Sequence, residues 1–156
     1  MELGLSESQK MLKSSARGFL ERECPSSLVR AMEEDSNGYT PELWKKIADL
    51  GWLGLPFPEE YGGLGLSYLD LVLLLEEMGR VLFPGAFFSS ILGGLSILIA
   101  GSSSQKKEIL PIIAHGDTVV TLALMEPSAD YGPAGIQATA TRRGSSYVLS
   151  GTKLFV

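Results

Sequence analysis

Residues 123–140, ALMEPSADYGPAGIQATA, divide the chain into halves of different character. Upstream, long segments carry apolar residues at three-to-four spacing, the period of a helix with one buried face. Downstream, short runs rich in β-branched residues and glycine have strand character. Glu126-Pro127 stands at the change, and Asp130, Tyr131, Gly132 and Pro133 supply turn chemistry after it. The order of elements predicts an α+β protein: an all-α helical bundle, then the first strands of an incomplete β-barrel or sandwich. The boundary falls between residues 1–117 and 118–156.

Working back from that boundary, five helices are expected. Ser6 and Gln9 form a capping box for the first, which runs through Met11, Leu12, Ala16, Phe19 and Leu20 and is interrupted at Pro25. A polar loop begins at Glu33. Thr40-Pro41 opens the second helix as N-cap and first-turn proline, and Gly51 closes it. Residues 52–66, WLGLPFPEEYGGLGL, mix glycines and two prolines with large apolar side chains, so they predict an ordered loop of tight turns. Ser67 and Asp70 cap a third helix over 67–82, so uniformly apolar that it is expected at the centre of the bundle. A fourth covers 86–100, and a fifth starts at the serines 102–104 and ends at His115-Gly116.

Beyond the boundary, TVVTLALM (118–125) has the length and β-branched content of a strand, and GIQATATRR with SSYVLSGTKLFV predicts a hairpin about Gly144. Three or four strands cannot close a barrel. With apolar Leu154-Phe155-Val156 following, the chain is expected to be the front part of a longer protein.

Composition narrows the function classes. The 156 residues carry a formal net charge of −5, with basic residues scattered in pairs, which argues against a nucleic-acid partner. No basic n-region precedes an apolar core at MELGLSESQK, so no secretory signal or transit peptide is expected. The uncharged stretch from Val81 to Gln105 is broken by Pro84, Gly85 and a series of serines and glycines, and is expected to be a buried helix, with no membrane span. A single cysteine, Cys24, allows no intrachain disulfide and fits a reducing compartment, so a cytoplasmic location is expected. One histidine and one cysteine make no metal site. His115 suits a helix C-terminus, where a positive ring complements the dipole. Glu59-Glu60 reads as a solvated pair, and YGGLGLS lacks the strand and Lys-Ser/Thr that a phosphate loop needs. From local chemistry alone no catalytic constellation emerges.

Four motifs in order say more. PEEYGGLGLSYLDLVLLLEEMGR (58–80), GSSSQKKEILPIIAHGD (101–117), ALMEPSADYGPAGIQATA and YVLSGTK (147–153) together resemble the signatures of the acyl-CoA dehydrogenase family. The resemblance implies an N-terminal helical domain followed by the start of a middle β-domain. In the family, bound FAD serves α,β-dehydrogenation of an acyl-CoA thioester to the trans-2-enoyl-CoA, and electrons pass to an electron-transferring flavoprotein. The catalytic carboxylate comes from a C-terminal helical domain, so it has no counterpart here. A eukaryotic member would work in the mitochondrial matrix. The assembly implied is a homo- or hetero-oligomer.

Carried over position by position, the resemblance puts Leu122, Leu124 and Met125 along the flavin edge, with backbone groups as its partners. Met125 stands where many members have Thr, and a thioether cannot donate a hydrogen bond. Asp130 and Tyr131 fall in the turn toward cofactor and CoA, Tyr131 replacing a smaller Ser. The helix with Ser90 and Gly94 resembles the wall of the acyl pocket, where small residues leave room for a tail. A non-catalytic relative, or a partner subunit of a heteromeric dehydrogenase serving assembly or ligand binding, is the alternative the motifs leave open.

Overall fold

The computed structural model describes residues 4–130 and 132–156. Tyr131 lies outside the described residues. The chain forms two compact units, one up to Val120 and one over Thr121–Val156.

In the first unit, local sequence sets most helix starts. Ser6, Ser67 and Ser102 each accept a hydrogen bond from the backbone N–H three residues on, while Gln9, Asp70 and Gln105 bond back to the cap N–H. These reciprocal boxes satisfy donors that a helix start would leave unpaired. They open α1 (Glu7–Glu23), α4 (Tyr68–Arg80) and α6 (Ser103–Ala114). Thr40 caps α3 (Pro41–Asp49), and α5 spans Phe87–Ala100.

A sixth helix, α2, covers Ser26–Glu34, where the sequence predicts only an interruption and a polar loop. Pro25 is its N-cap at φ −66°. The proline that terminates α1 therefore also delivers the chain into α2, because its fixed φ leads into a helix as readily as it breaks one.

α1 packs along α4, and α5 along α6. Leu20, Ile47, Leu53, Leu55 and Leu74 are fully buried in the main core, with Cys24 among them; a smaller cluster gathers Phe57, Leu110 and Ile113. Burial pushes the Cys24 thiol up, as expected of an inert structural cysteine. The 52–66 segment is ordered by its own carbonyls: Gly54 O accepts from the N–H of Phe57 and of Leu64, and Phe57 O from Gly65. Gly63 is required in that turn, since a Cβ there would lie 2.1 Å from Phe57 O. Glu59 and Glu60 are exposed in a 3-10 turn, consistent with a solvated pair.

The expectation that the third predicted helix, α4, sits at the bundle centre is corrected. α4 buries Leu71, Leu73, Leu74, Glu77 and Met78 but exposes Tyr68, Leu69 and Val72. It is a two-sided helix with apolar residues on both sides. Among the described residues no helix is long and apolar enough to cross a membrane.

The second unit holds one antiparallel hairpin, β1 (Thr139–Arg143) and β2 (Ser146–Ser150), paired from Thr139↔Ser150 to Arg143↔Ser146. Gly144 in the left-handed region (φ 62°) makes its turn. The strand expected over 118–125 does not form among the described residues: the segment has no ladder partner. Three or four strands thus reduce to two. β propensity makes a strand only where a neighbouring edge is available to pair.

Candidate functional site

The segment predicted to face a cofactor is defined by what its backbone does. Leu122 and Leu124 are partly exposed and Met125 is half-buried. Met125 O accepts from Leu154 N–H at 2.9 Å, and Leu124 O accepts from Lys153 Nζ at 3.3 Å. The N–H groups of Leu122, Leu124 and Met125 find no acceptor among the described residues.

Glu126, next in sequence, is 3% exposed. Its carboxylate accepts from Gln137 N–H at 2.7 Å, from Ala138 N–H at 3.1 Å and from Lys153 Nζ at 2.7 Å. The Lys153 ammonium and these amides hold its carboxyl below the usual carboxylate range. Glu126 was seen in the sequence only as half of a Glu-Pro pair; its bond to Lys153, 27 residues away, was missed. The Glu-Pro and Gly-Thr-Lys motifs both pointed to these residues, but nothing in their order indicated contact.

In the turn, Asp130 Oδ1 accepts from Gly132 N–H at 2.8 Å. Asp130 is exposed, and its short acceptor shapes the loop, as Asx turns do. Gly135 packs under it: a Cβ there would meet Asp130 O at 2.4 Å.

In the helical unit, Ser90 is fully buried and its hydroxyl bridges the backbone of Val120, 3.4 Å from both N and O. Gly94 faces Phe57: a Cβ would lie 2.2 Å from the ring's Cζ. Both small residues of α5 are thus engaged by protein atoms on the sides described. Sequence reasoning did not single out the apolar groove of about 240 Å³ between the end of α4 and the start of α5, lined by Leu75, Met78, Leu82, Phe83, Phe87 and Phe88. Leu82 holds φ 52°, a left-handed value rare for leucine. His115 is the C-cap of α6, as its placement before Gly116 predicts. Among the described residues no group of three or more His, Cys, Asp or Glu could hold a metal ion.

Unpaired peptide donors beside a buried, neutralised carboxylate suit a heteroaromatic ligand whose edge carries acceptor atoms. Six helices followed in sequence by an antiparallel hairpin make this an α+β protein, and solved structures narrow it. The same fold occurs in the crystal structure of an acyl-CoA dehydrogenase complexed with FAD from Bacillus anthracis, with a TM-score of 0.79 and 31% identity over 94% of this chain and 26% of that chain. Residues 6–117 match the model described as "Acyl-CoA dehydrogenase, N-terminal domain", and the chain belongs to the acyl-CoA dehydrogenase family.

Among curated relatives, mitochondrial isovaleryl-CoA dehydrogenase of Bos taurus is 32% identical over 98% of this chain and 37% of its own length. The caffeyl-CoA reductase-Etf complex subunit CarC of Acetobacterium woodii is 32% identical over 97% of this chain and 40% of its own. The chain therefore spans well under half the length of these relatives.

Proposed function

We propose that the chain is the N-terminal part of an FAD-dependent acyl-CoA dehydrogenase that introduces an α,β double bond into an acyl-CoA thioester. Residues 1–117 are its helical domain and 118–156 the beginning of its middle β-domain. The observation that carries the proposal is the row of unpaired N–H groups over Leu122, Leu124 and Met125, at the family's flavin position and fixed beside Glu126. The donor set fits the cofactor: the flavin ring carries carbonyl and ring-nitrogen acceptors, and peptide N–H groups supply the donors they need.

FAD, when bound, supplies the hydride acceptor for the β-hydrogen. The residues here bind and orient. Leu122, Leu124 and Met125 present backbone donors, and Met125 adds an apolar contact in place of a hydroxyl. Asp130 shapes the turn toward the CoA arm, and the family resemblance assigns Tyr131 to the same turn. Ser90 and Gly94 brace the helix that walls the acyl site, and the groove at Leu82 and Phe88 is apolar enough to hold a tail. No residue of this chain is assigned as the α-proton base, so residues 1–156 alone are inactive. An electron-transferring flavoprotein is the proposed electron acceptor, the working assembly is an oligomer, and the location is cytoplasm or mitochondrial matrix.

Anaerobic titration with acyl-CoA tests this. The full-length gene product, loaded with FAD, is expected to lose its flavin absorption on adding acyl-CoA, and residues 1–156 are not. Bleaching by the 156-residue chain would sink the assignment of the base elsewhere. No bleaching by the full-length product would favour the second reading, a partner subunit serving assembly or ligand binding, for which the similarity to a complex subunit speaks.

A further inference from the structure

Among the described residues, two carbonyls of the segment 122–125 are held, those of Leu124 and Met125. Lys153 Nζ reaches the carbonyl of Leu124 and the carboxylate of Glu126, and the N–H of the next residue, Leu154, reaches the carbonyl of Met125. Glu126 in turn grips the chain that enters β1, through the N–H groups of Gln137 and Ala138. A trans peptide is planar, with its C=O and N–H pointing in opposite directions. Drawing the Leu124 carbonyl to Lys153 therefore aims the Met125 N–H away from it. Drawing the Met125 carbonyl to Leu154 aims the Glu126 N–H away from Leu154. Neither N–H has an acceptor among the described residues.

We infer that Glu126 and Lys153 are a positioning pair for the cofactor edge, locking two carbonyls so that the N–H groups of Met125 and Glu126 are presented to the ligand. The inference rests on the flavin-binding role proposed for residues 122–125. Neither side chain is assigned a contact with the ligand. Lys153 is the only cation on Glu126 among the described residues, so the pair also keeps a buried carboxylate neutralised. The same side chain that neutralises the carboxylate thus sets the direction of the donors.

The test uses the full-length gene product with two readouts: FAD affinity from flavin fluorescence, and amide hydrogen exchange without flavin. Lys153→Met and Glu126→Gln are expected to weaken FAD binding about tenfold, the scale of one lost hydrogen bond. Lys153→Arg, which keeps a cation with several donors, is expected to stay within about threefold of wild type. Without flavin, Lys153→Met should speed exchange at Leu154 while the β1–β2 amides keep their protection. Wild-type FAD affinity in Lys153→Met would overturn the inference, as would an Arg variant as weak as the Met variant. A general loss of β1–β2 protection would overturn it too, by identifying a folding role. If the wild-type chain takes up no FAD, the flavin reading fails separately. The positioning role is then decided by Leu154 exchange: a rise in Lys153→Met supports it and no change refutes it.

Discussion

Arg17 on α1 grips Glu77 on α4 with two hydrogen bonds, Nε to Oε2 at 2.9 Å and Nη2 to Oε1 at 2.8 Å. Glu77 is 1% exposed, and Arg80 adds a third bond at 3.0 Å. A fork-to-fork pair fixes orientation as well as distance, so it sets how α1 lies along α4. Both arginines remain about half exposed and keep much of their hydration. Only the carboxylate bears a full desolvation cost, which three donors offset.

That asymmetry predicts a pH dependence. Arg17 holds the Glu77 carboxyl below its ordinary value of 4.5. A depressed folded-state pKa adds stability above the unfolded pKa, and this is lost as pH falls through the folded value. Glu77→Gln should therefore lower the melting temperature most near neutrality, with the gap to wild type narrowing as the solution is acidified below 4.5. Melting curves recorded across that range check it. A gap that stays constant into acid would falsify the assignment of the effect to this carboxylate.

Gly94 is expected to be irreplaceable for packing reasons. Alanine gains about 1 kcal/mol of helix propensity over glycine, but its Cβ would lie 2.2 Å from Phe57 Cζ. Phe57 is fully buried, and overpacking such a core costs about 1–3 kcal/mol. Steric cost should win, leaving Gly94→Ala destabilised by about 1 kcal/mol. Phe57→Leu in the same chain should recover part of the loss, read as a coupling in a double-mutant cycle by urea unfolding. Strict additivity would mean that the two positions do not meet.

How much of this could be read beforehand depended on range. The capping boxes at Ser6 and Ser67 are encoded within four residues, and those two helix starts were legible. α2 was not, because Pro25 looks the same whether it ends one helix or begins the next. The leucines of α4 declared a helix but not its neighbours, so its exposed side at Leu69 and Val72 could not be foreseen. The Arg17–Glu77 and Glu126–Lys153 pairs join residues 60 and 27 apart. Glu77, Glu126 and Lys153 lie in recognised motifs, yet only folding brings the partners together. Ser90 and Gly94 were expected to leave room for a tail; that Val120 and Phe57 are their neighbours on the described sides needed coordinates.

Ser90 carries the next prediction. Its hydroxyl is the one partner of the Val120 N–H among the described residues. Ser90→Ala would leave that amide and the Val120 carbonyl unpaired inside the fold. At 3.4 Å the bonds are long, so the cost belongs near the low end for a lost buried partner, about 1 kcal/mol. Faster amide exchange at Val120, with α5 amides unchanged, is the expected signature. Unchanged exchange at Val120 would mean the hydroxyl does not hold it.

Leu82 offers the opposite kind of test, a substitution expected to stabilise. Its φ of 52° places a leucine where the Cβ crowds the backbone, at a cost of about 1–2 kcal/mol. It is 73% exposed, so little burial offsets that strain. Asparagine tolerates the left-handed region, and Leu82→Asn should stabilise the chain by about 0.5–1 kcal/mol. Valine, β-branched, should be destabilising at the same position. Strained residues that persist are often held for function, and this one lines the apolar groove with Phe88. On the proposed function, the stabilised Leu82→Asn variant of the full-length gene product should therefore bind long acyl-CoA more weakly and short acyl-CoA unchanged. Equal affinity for both would detach Leu82 from the acyl site and leave its strain without a functional explanation.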